Sequence, residues 1–134
     1  MEKTQKQFRK RNAILSCLQQ TKAHPSAEWI YASLKPQIPD LSLGTVYRNL
    51  ALFKEQGLIT SLGTVQGVER FDAETAPHVH HICCQCGKVQ DMEQIRVPGE
   101  LCRAAEKEAG GQVVSCQLTF TGYCGECEKE KKLN

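Results

Sequence analysis

Between about Gln5 and Gln20 apolar side chains recur at helical spacing: Phe8, Ile14, Leu15 and Leu18 form a stripe, while Lys6, Arg9, Lys10 and Arg11 take the remaining surface. This predicts a first helix. His24-Pro25-Ser26 then punctuates the chain, and Ser26 is placed to cap a second helix whose buried stripe is Ala27, Ile30, Tyr31 and Leu34. Pro36 and Pro39 close it. A third helix opens at Ser42 and runs to Gly57, with Leu43, Val46, Leu50 and Phe53 on one side. At about 100° per residue the opposite side carries Gly44, Arg48, Ala51 and Glu55, flanked by Thr45 and Tyr47. Two short extended runs follow, Leu58 to Leu62 and Gly67 to Phe71, with Gly63 and Gly67 flanking the expected turn of a hairpin.

Three helices followed by a hairpin is the order of a winged-helix DNA-binding domain, in which the third helix enters the major groove by its N-terminal half. The candidate DNA-contacting residues are then Ser42 at the start of that helix, Thr45 and Tyr47, suited to a thymine methyl or a phosphate, and Arg48, suited to a guanine edge or a phosphate. A small helical core with no nucleic-acid partner fits the same pattern. Charge favours the first reading: residues 1–72 carry ten Lys+Arg against six Asp+Glu, and the remainder seven against nine. A basic reader joined to an acidic module is expected of a regulated nucleic-acid binder.

Beyond Asp72 the composition changes. A His/Cys-rich segment from His78 to Cys86, an extended run from Lys88 to Met92, helical signals from Pro98 to Ala109 and a strand from Val113 to Phe120 predict a small α+β unit. At about 60 residues such a unit is marginal alone and needs a staple. The charged tail, Glu126 to Lys132, reads as a solvated end. The expected division is a winged-helix domain over 1–72 and a metal-binding domain over 73–134. Nothing approaches the ~18 consecutive apolar residues that span a bilayer, and no secretory h-region precedes the first helix. A cytoplasmic location is expected.

A chain of 134 residues with eight cysteines and no export signal points to metal binding rather than disulfides. Cys83-x-x-Cys86 and Cys124-x-x-Cys127, 37 residues apart, supply two thiolate pairs for the tetrahedral shell of a structural Zn2+. Two redox-active pairs are the alternative, but the βαβ context of a thioredoxin is missing. Cys84 competes for the register, and Cys83 is favoured because it alone repeats the spacing of the second pair. Cys17, Cys102 and Cys116 lie in apolar patterns and read as small core residues.

His78 and His80 share one face of a strand, so both imidazoles can meet one ion, while His81 points away. With Asp72 upstream and Asp91 downstream they form a mixed N/O set suited to Fe(II), Mn(II) or Zn(II) rather than Cu(I). A surface histidine pair without metal remains open. His24, isolated between the first two helices, would tie such an ion to the DNA-binding part.

The stretches AHPSAEWIY, LSLGTVYRNLALFKEQGLI, RFD, HVHHICCQCGKVQDM and the terminal CGEC, in that order over nearly the whole chain, resemble the ferric uptake regulator (Fur) superfamily. The resemblance implies a homodimeric, metal-activated winged-helix repressor of operator DNA with a C-terminal dimerisation domain. It implies structural zinc on Cys83, Cys86, Cys124 and Cys127, and a regulatory Fe2+ or Mn2+ site on His24, Asp72, His78, His80 and Asp91. Asp rather than Glu after Arg70-Phe71 is similar to the peroxide-sensing (PerR) branch, in which Fe(II) and hydrogen peroxide oxidise a histidine ligand; projected here, the targets are His24 and His78. No catalytic residue and no small organic substrate are implied. The rivals are an iron or zinc concentration sensor, a His/Asp metalloenzyme, and a thiol switch through Cys83, Cys84 and Cys86.

Overall fold

The computed structural model describes residues 2–75, 78–114 and 116–133, and the side chains of 4–75, 78–114 and 116–131. The chain divides into two compact units, Met1–Thr75 and Ala76–Asn134.

The first unit contains α1 (Glu2–Gln19), α2 (Ala27–Leu34), α3 (Leu43–Glu55), β1 (Thr60–Val65) and β2 (Val68–Asp72). Its core joins Ile14 and Leu18 of α1 to Ala27 and Ile30 of α2, Val46, Leu50 and Phe53 of α3, and Phe71 of β2. The stripe on α1 is narrower than expected, because Phe8 is 61% exposed. Phe8 and Leu15 lie about two turns apart on the flank of the Ile14–Leu18 row, and Leu15 is only half-buried.

Ser26 accepts the Trp29 N–H at 3.1 Å and Ser42 accepts that of Thr45 at 3.1 Å, so both expected caps form. Each such cap is worth about 1 kcal/mol. At the other end of α3, Gly57 turns left-handed at φ +75°. Its N–H reaches Lys54 O at 3.1 Å, and that of Leu58 reaches Phe53 O at 2.9 Å, closing a Schellman motif.

The hairpin differs from expectation at its turn. Gln66 and Gly67, at φ +52° and +83°, make a two-residue turn between Val65 and Val68. Two adjacent positive φ angles match the twist of the flanking strands. Gly63 does not flank the turn but lies within β1, at φ +82°, where the register shifts between Ser61 and Gly63. Leu62 is the extra residue of that bulge, and glycine supplies the conformation it requires.

The second unit contains β3 (Val79–Cys83), β4 (Val89–Asp91), α4 (Gly99–Ala109), β5 (Leu118–Gly122) and α5 (Gly125–Leu133). Its sheet has the order β4-β3-β5, antiparallel between β3 and β4 and parallel between β3 and β5. The last strand begins later than its apolar pattern suggests, at Leu118 rather than Val113, and ends at Gly122. Val113 is held instead by α4, its N–H donating to Glu106 Oε2 at 3.1 Å; Ser115 lies outside the described residues.

The charged tail faces solvent as expected, but it does so as a helix. Cys124 O accepts the Glu128 N–H at 2.9 Å, opening α5, and Glu126 and Glu128 place carboxylates at its positive end. Cys17 packs against the first core, while Cys102 and Cys116 are half-buried. Among the described residues no helix is long and apolar enough to cross a membrane.

Candidate metal centres and nucleic-acid face

Cys83 ends β3, Cys86 lies in the turn beyond it, Cys124 follows β5 and Cys127 sits on α5. The first knuckle is built by backbone: Cys83 N–H donates to Lys88 O at 2.9 Å, Gly87 N–H donates to Cys83 O at 2.9 Å, and Gly87 takes φ +79°. Cys84 N–H donates to Gly122 O at 2.8 Å, which locks this knuckle to the end of β5. The structure thus brings Cys83 to the cluster and leaves Cys84 exposed.

The four sulfurs lie within 4.8 Å of one another, and Cys86 and Cys124 stand 3.8 Å apart. Sulfurs about 2.3 Å from a central zinc ion are separated by about 3.8 Å in a regular tetrahedron. The backbone N–H groups of Cys86 and Cys124 hold the Cys83 thiol down to about 6. Cys127 is pushed up by its hydrogen bond to Cys124 and by burial. Thiols crowded this closely cannot all ionise without a cation between them. The donor set is that of a closed structural Zn2+ site.

In the same unit, Asp91 Oδ1 is 3.2 Å from His80 Nε2 and 3.5 Å from His78 Nε2. His80 and Asp91 are cross-strand partners, and His78 reaches the same carboxylate from two residues earlier. The two rings meet edge to face, their centroids 4.2 Å apart. Ligands bound about 2.1 Å from an ion stand roughly 3.0 to 3.4 Å from one another, so the trio is spaced as donors converging on a divalent cation. His80 is fully buried and His81, one residue on, is half-buried.

In the first unit, His24 Nε2 lies 3.4 Å from Asp72 Oδ2, with the imidazole only 3% exposed. Asp72 ends β2 and is oriented by its own Oδ1, which accepts the Glu74 N–H at 2.8 Å. His24 takes a left-handed conformation at φ +52°. The Arg70 guanidinium donates from Nε to His24 O and from Nη2 to Ala23 O, the latter at 2.6 Å, and Phe71 N–H donates to Pro25 O at 3.0 Å. Neutral imidazole with carboxylate suits Fe2+ or Mn2+ better than thiophilic ions.

At the N-terminal end of α3, three of the four predicted DNA-contacting residues are joined by hydrogen bonds. Ser42 Oγ and Thr45 Oγ1 are 2.9 Å apart, and Arg48 Nη2 donates to Thr45 Oγ1 at 3.0 Å. Gly44 leaves room for the guanidinium, since a Cβ there would stand 3.3 Å from Arg48 Nη1. Tyr47 is 44% exposed, and its hydroxyl donates to the Glu28 carboxylate on α2. Behind the patch, Glu69 on β2 binds Lys54 Nζ at 3.1 Å and accepts Ser61 Oγ at 2.6 Å, tying the wing to the end of the helix. Lys10 is engaged at 3.2 Å by Asp40, and Arg11 donates to Gln56 at 3.1 Å.

Two residues in these sites escaped the sequence reading. Arg70 stands in the sequence only as part of the RFD stretch, and its available signal is a cation two residues before a candidate ligand. Glu28 carried no signal, because its partner lies 19 residues away on another helix.

The chain is 39% identical over 123 residues to the peroxide operon regulator of Bacillus subtilis, covering 90% of this chain and 83% of that protein. To the peroxide-responsive repressor PerR of Staphylococcus aureus it is 36% identical over 118 residues, covering 88% and 79%. Among solved structures, the Campylobacter jejuni peroxide stress regulator superposes with a TM-score of 0.79 at 26% identity, covering 94% of each chain. The Helicobacter pylori ferric uptake regulator Fur, described as having three functional metal-binding sites, gives 0.72 at 27% identity over 90% of this chain and 80% of that one. The ferric uptake regulator family matches residues 2–121, and with the sulfur cluster and the winged-helix order already in place, the chain belongs to that family.

Proposed function

We propose that this chain is a cytoplasmic, homodimeric, metal-dependent repressor that binds double-stranded operator DNA and releases it on exposure to hydrogen peroxide. The observation that carries this reading is the pairing of histidines with aspartates: His24 with Asp72, and His78 and His80 with Asp91. The peroxide operon regulator relative supports the same branch.

In this reading the five residues close on one Fe2+ or Mn2+, and Cys83, Cys86, Cys124 and Cys127 hold the Zn2+. Bound Fe2+ would supply the cleavage of the peroxide O–O bond, one oxygen going to an imidazole carbon and the other leaving as water, whereas Mn2+ would support DNA binding without that chemistry. In this reading His24 and His78 take up the oxygen. An oxidised imidazole is a poorer ligand, so His24 loses its hold and the DNA-binding unit is released from the regulatory site. The useful coupling between metal and DNA is about 1 to 3 kcal/mol.

Ser42, Thr45, Tyr47 and Arg48 form the DNA-reading patch. A second copy is the proposed partner of the second unit: α4 buries none of its residues, β5 is an edge strand, and Leu101 and Phe120 are 47% and 45% exposed. No catalytic residue and no organic substrate are assigned.

The test is peptide mass spectrometry of the Fe(II)-loaded protein after brief peroxide exposure, beside a Mn(II)-loaded control. One added oxygen on the His24 or His78 peptide with iron alone is the expected result. Unmodified histidines, with both metals still supporting operator binding, would make the protein a sensor of metal concentration. His24→Ala and Asp91→Ala are expected to abolish metal-dependent operator binding while leaving zinc content intact.

A further inference from the structure

His24 occupies a conformation that its sequence opposes. A side chain at φ +52° is left-handed, where a Cβ crowds the following carbonyl, and the residue before a proline is restricted toward extended backbone. Left to itself, the segment Ala23-His24-Pro25 would relax and carry the imidazole away from Asp72.

Three consecutive residues of β2 hold the loop in place. Arg70 grips the carbonyls of Ala23 and His24 with two donors of one guanidinium, Phe71 N–H donates to Pro25 O at 3.0 Å, and Asp72 stands 3.4 Å from the imidazole itself. A planar fork spans two adjacent carbonyls in a way that a single ammonium does not.

We infer that Arg70 is the positioning residue of the regulatory metal site: it fixes the loop so that His24 is presented to the ion before the ion arrives. The inference rests on the reading of His24 as a ligand and deepens it. Without the clamp, binding of the metal must also order the loop, and affinity falls. The clamp grips main-chain carbonyls and leaves the imidazole alone. Oxidation of His24 therefore removes the ligand without loosening the fold that carries it.

The experiment uses the full zinc-loaded chain with Co(II) as the probe, titrated by its ligand-field absorption, and follows amide hydrogen exchange in the segment 21–26 with the regulatory site metal-free. Wild type is compared with Arg70→Lys, Arg70→Ala and His24→Ala. Arg70→Lys keeps the charge and loses the fork, and it serves where Arg70→Ala fails to fold. Both Arg70 variants are expected to bind Co(II) about tenfold to a hundredfold more weakly, as loss of a residue that orients a metal ligand typically does. Exchange in 21–26 should quicken while amides of Val46 and Leu50 and the zinc stoichiometry stay unchanged.

Unaltered exchange in both Arg70 variants overturns the clamp. Quickened exchange with wild-type Co(II) affinity, in the presence of a His24→Ala variant that has lost Co(II), overturns its role in metal positioning. Full Co(II) affinity in His24→Ala overturns the ligand assignment, and the inference with it, whatever the exchange shows.

Discussion

The Tyr47 hydroxyl donates to the Glu28 carboxylate, linking the exposed face of α3 to α2 through two surface side chains. The bond pulls Glu28 below the ordinary carboxylate range and pushes Tyr47 above the usual phenol range. Glu28 thus stands as an anion beside the patch proposed to meet phosphate, and it occupies a hydroxyl that a phosphate would otherwise receive.

Glu28→Gln is therefore expected to tighten operator binding, by roughly twofold to tenfold at low salt, since it removes a like charge from the approach path. Fluorescence anisotropy with labelled operator at two ionic strengths checks this. Weaker binding would show that Glu28 serves to orient Tyr47 for its contact.

Arg48→Ala should weaken operator binding by ~1 to 3 kcal/mol and leave metal affinity untouched. Gly44→Ala should act in the same direction, more mildly, because its Cβ would press on Arg48 Nη1 at 3.3 Å. Gel-shift titration paired with Mn(II) binding separates the two effects; a fall in metal affinity for Arg48→Ala would place that residue elsewhere.

Among the described residues the buried apolar side chains of the second unit are few: the cluster of Cys83, Cys124 and Cys127, with Val79 and Val89 on the sheet. Cys124→Ser, or removal of zinc by a strong chelator, is accordingly expected to unfold α5 and the β3–β5 pairing while the helical core of the first unit persists. Zinc release with a chromogenic chelator, run alongside circular dichroism, reads both. Full retention of helix after complete zinc loss would show that the cluster is dispensable.

Much of this was visible in the residues because the signals were local. Ser26 and Ser42 announce helix starts by a contact three residues away, and paired cysteines announce a metal by their own spacing. The turn at Gln66-Gly67 was hidden because Gly63 offers an equally good glycine, and only the pairing of both strands decides which one turns. The charges of the tail do face solvent, as their composition suggests, but its helix is not legible, because Cys127 is the one buried side chain among its described residues and its partners Cys83 and Cys86 lie far away in sequence. All five regulatory residues are legible as a mixed N/O set, but only His78 and His80 share a strand face by their own spacing; Asp72, Asp91 and His24 come from other elements, and the resemblance supplies their common role.

Glu69 provides a pH test. The Ser61 hydroxyl, followed by Lys54, holds its carboxyl below the ordinary value of 4.5. A depressed folded value stabilises the protein above the ordinary value, and that stability is lost as pH falls through the depressed one. With Glu69 39% and Lys54 38% exposed, solvent screening keeps the contribution under about 1 kcal/mol. Wild type should melt slightly above Glu69→Gln at pH 7, and the gap should narrow as pH falls from the ordinary value of 4.5 through the depressed one. A gap that does not change with pH would mean that the carboxylate is not its source.

The parallel pairing of Val79 with Leu118 gives the two halves different histories during synthesis. The β1–β2 hairpin turns through two residues and closes as soon as it leaves the ribosome, whereas the edge of β3 that does not pair with β4 must wait for a strand made about 40 residues later. Until Cys124 and Cys127 emerge, the nascent second unit exposes an unmatched strand edge and two waiting thiols. Zinc capture is then the last act of maturation, and a cell short of zinc would accumulate chains whose DNA-reading half is finished and whose regulatory half is not.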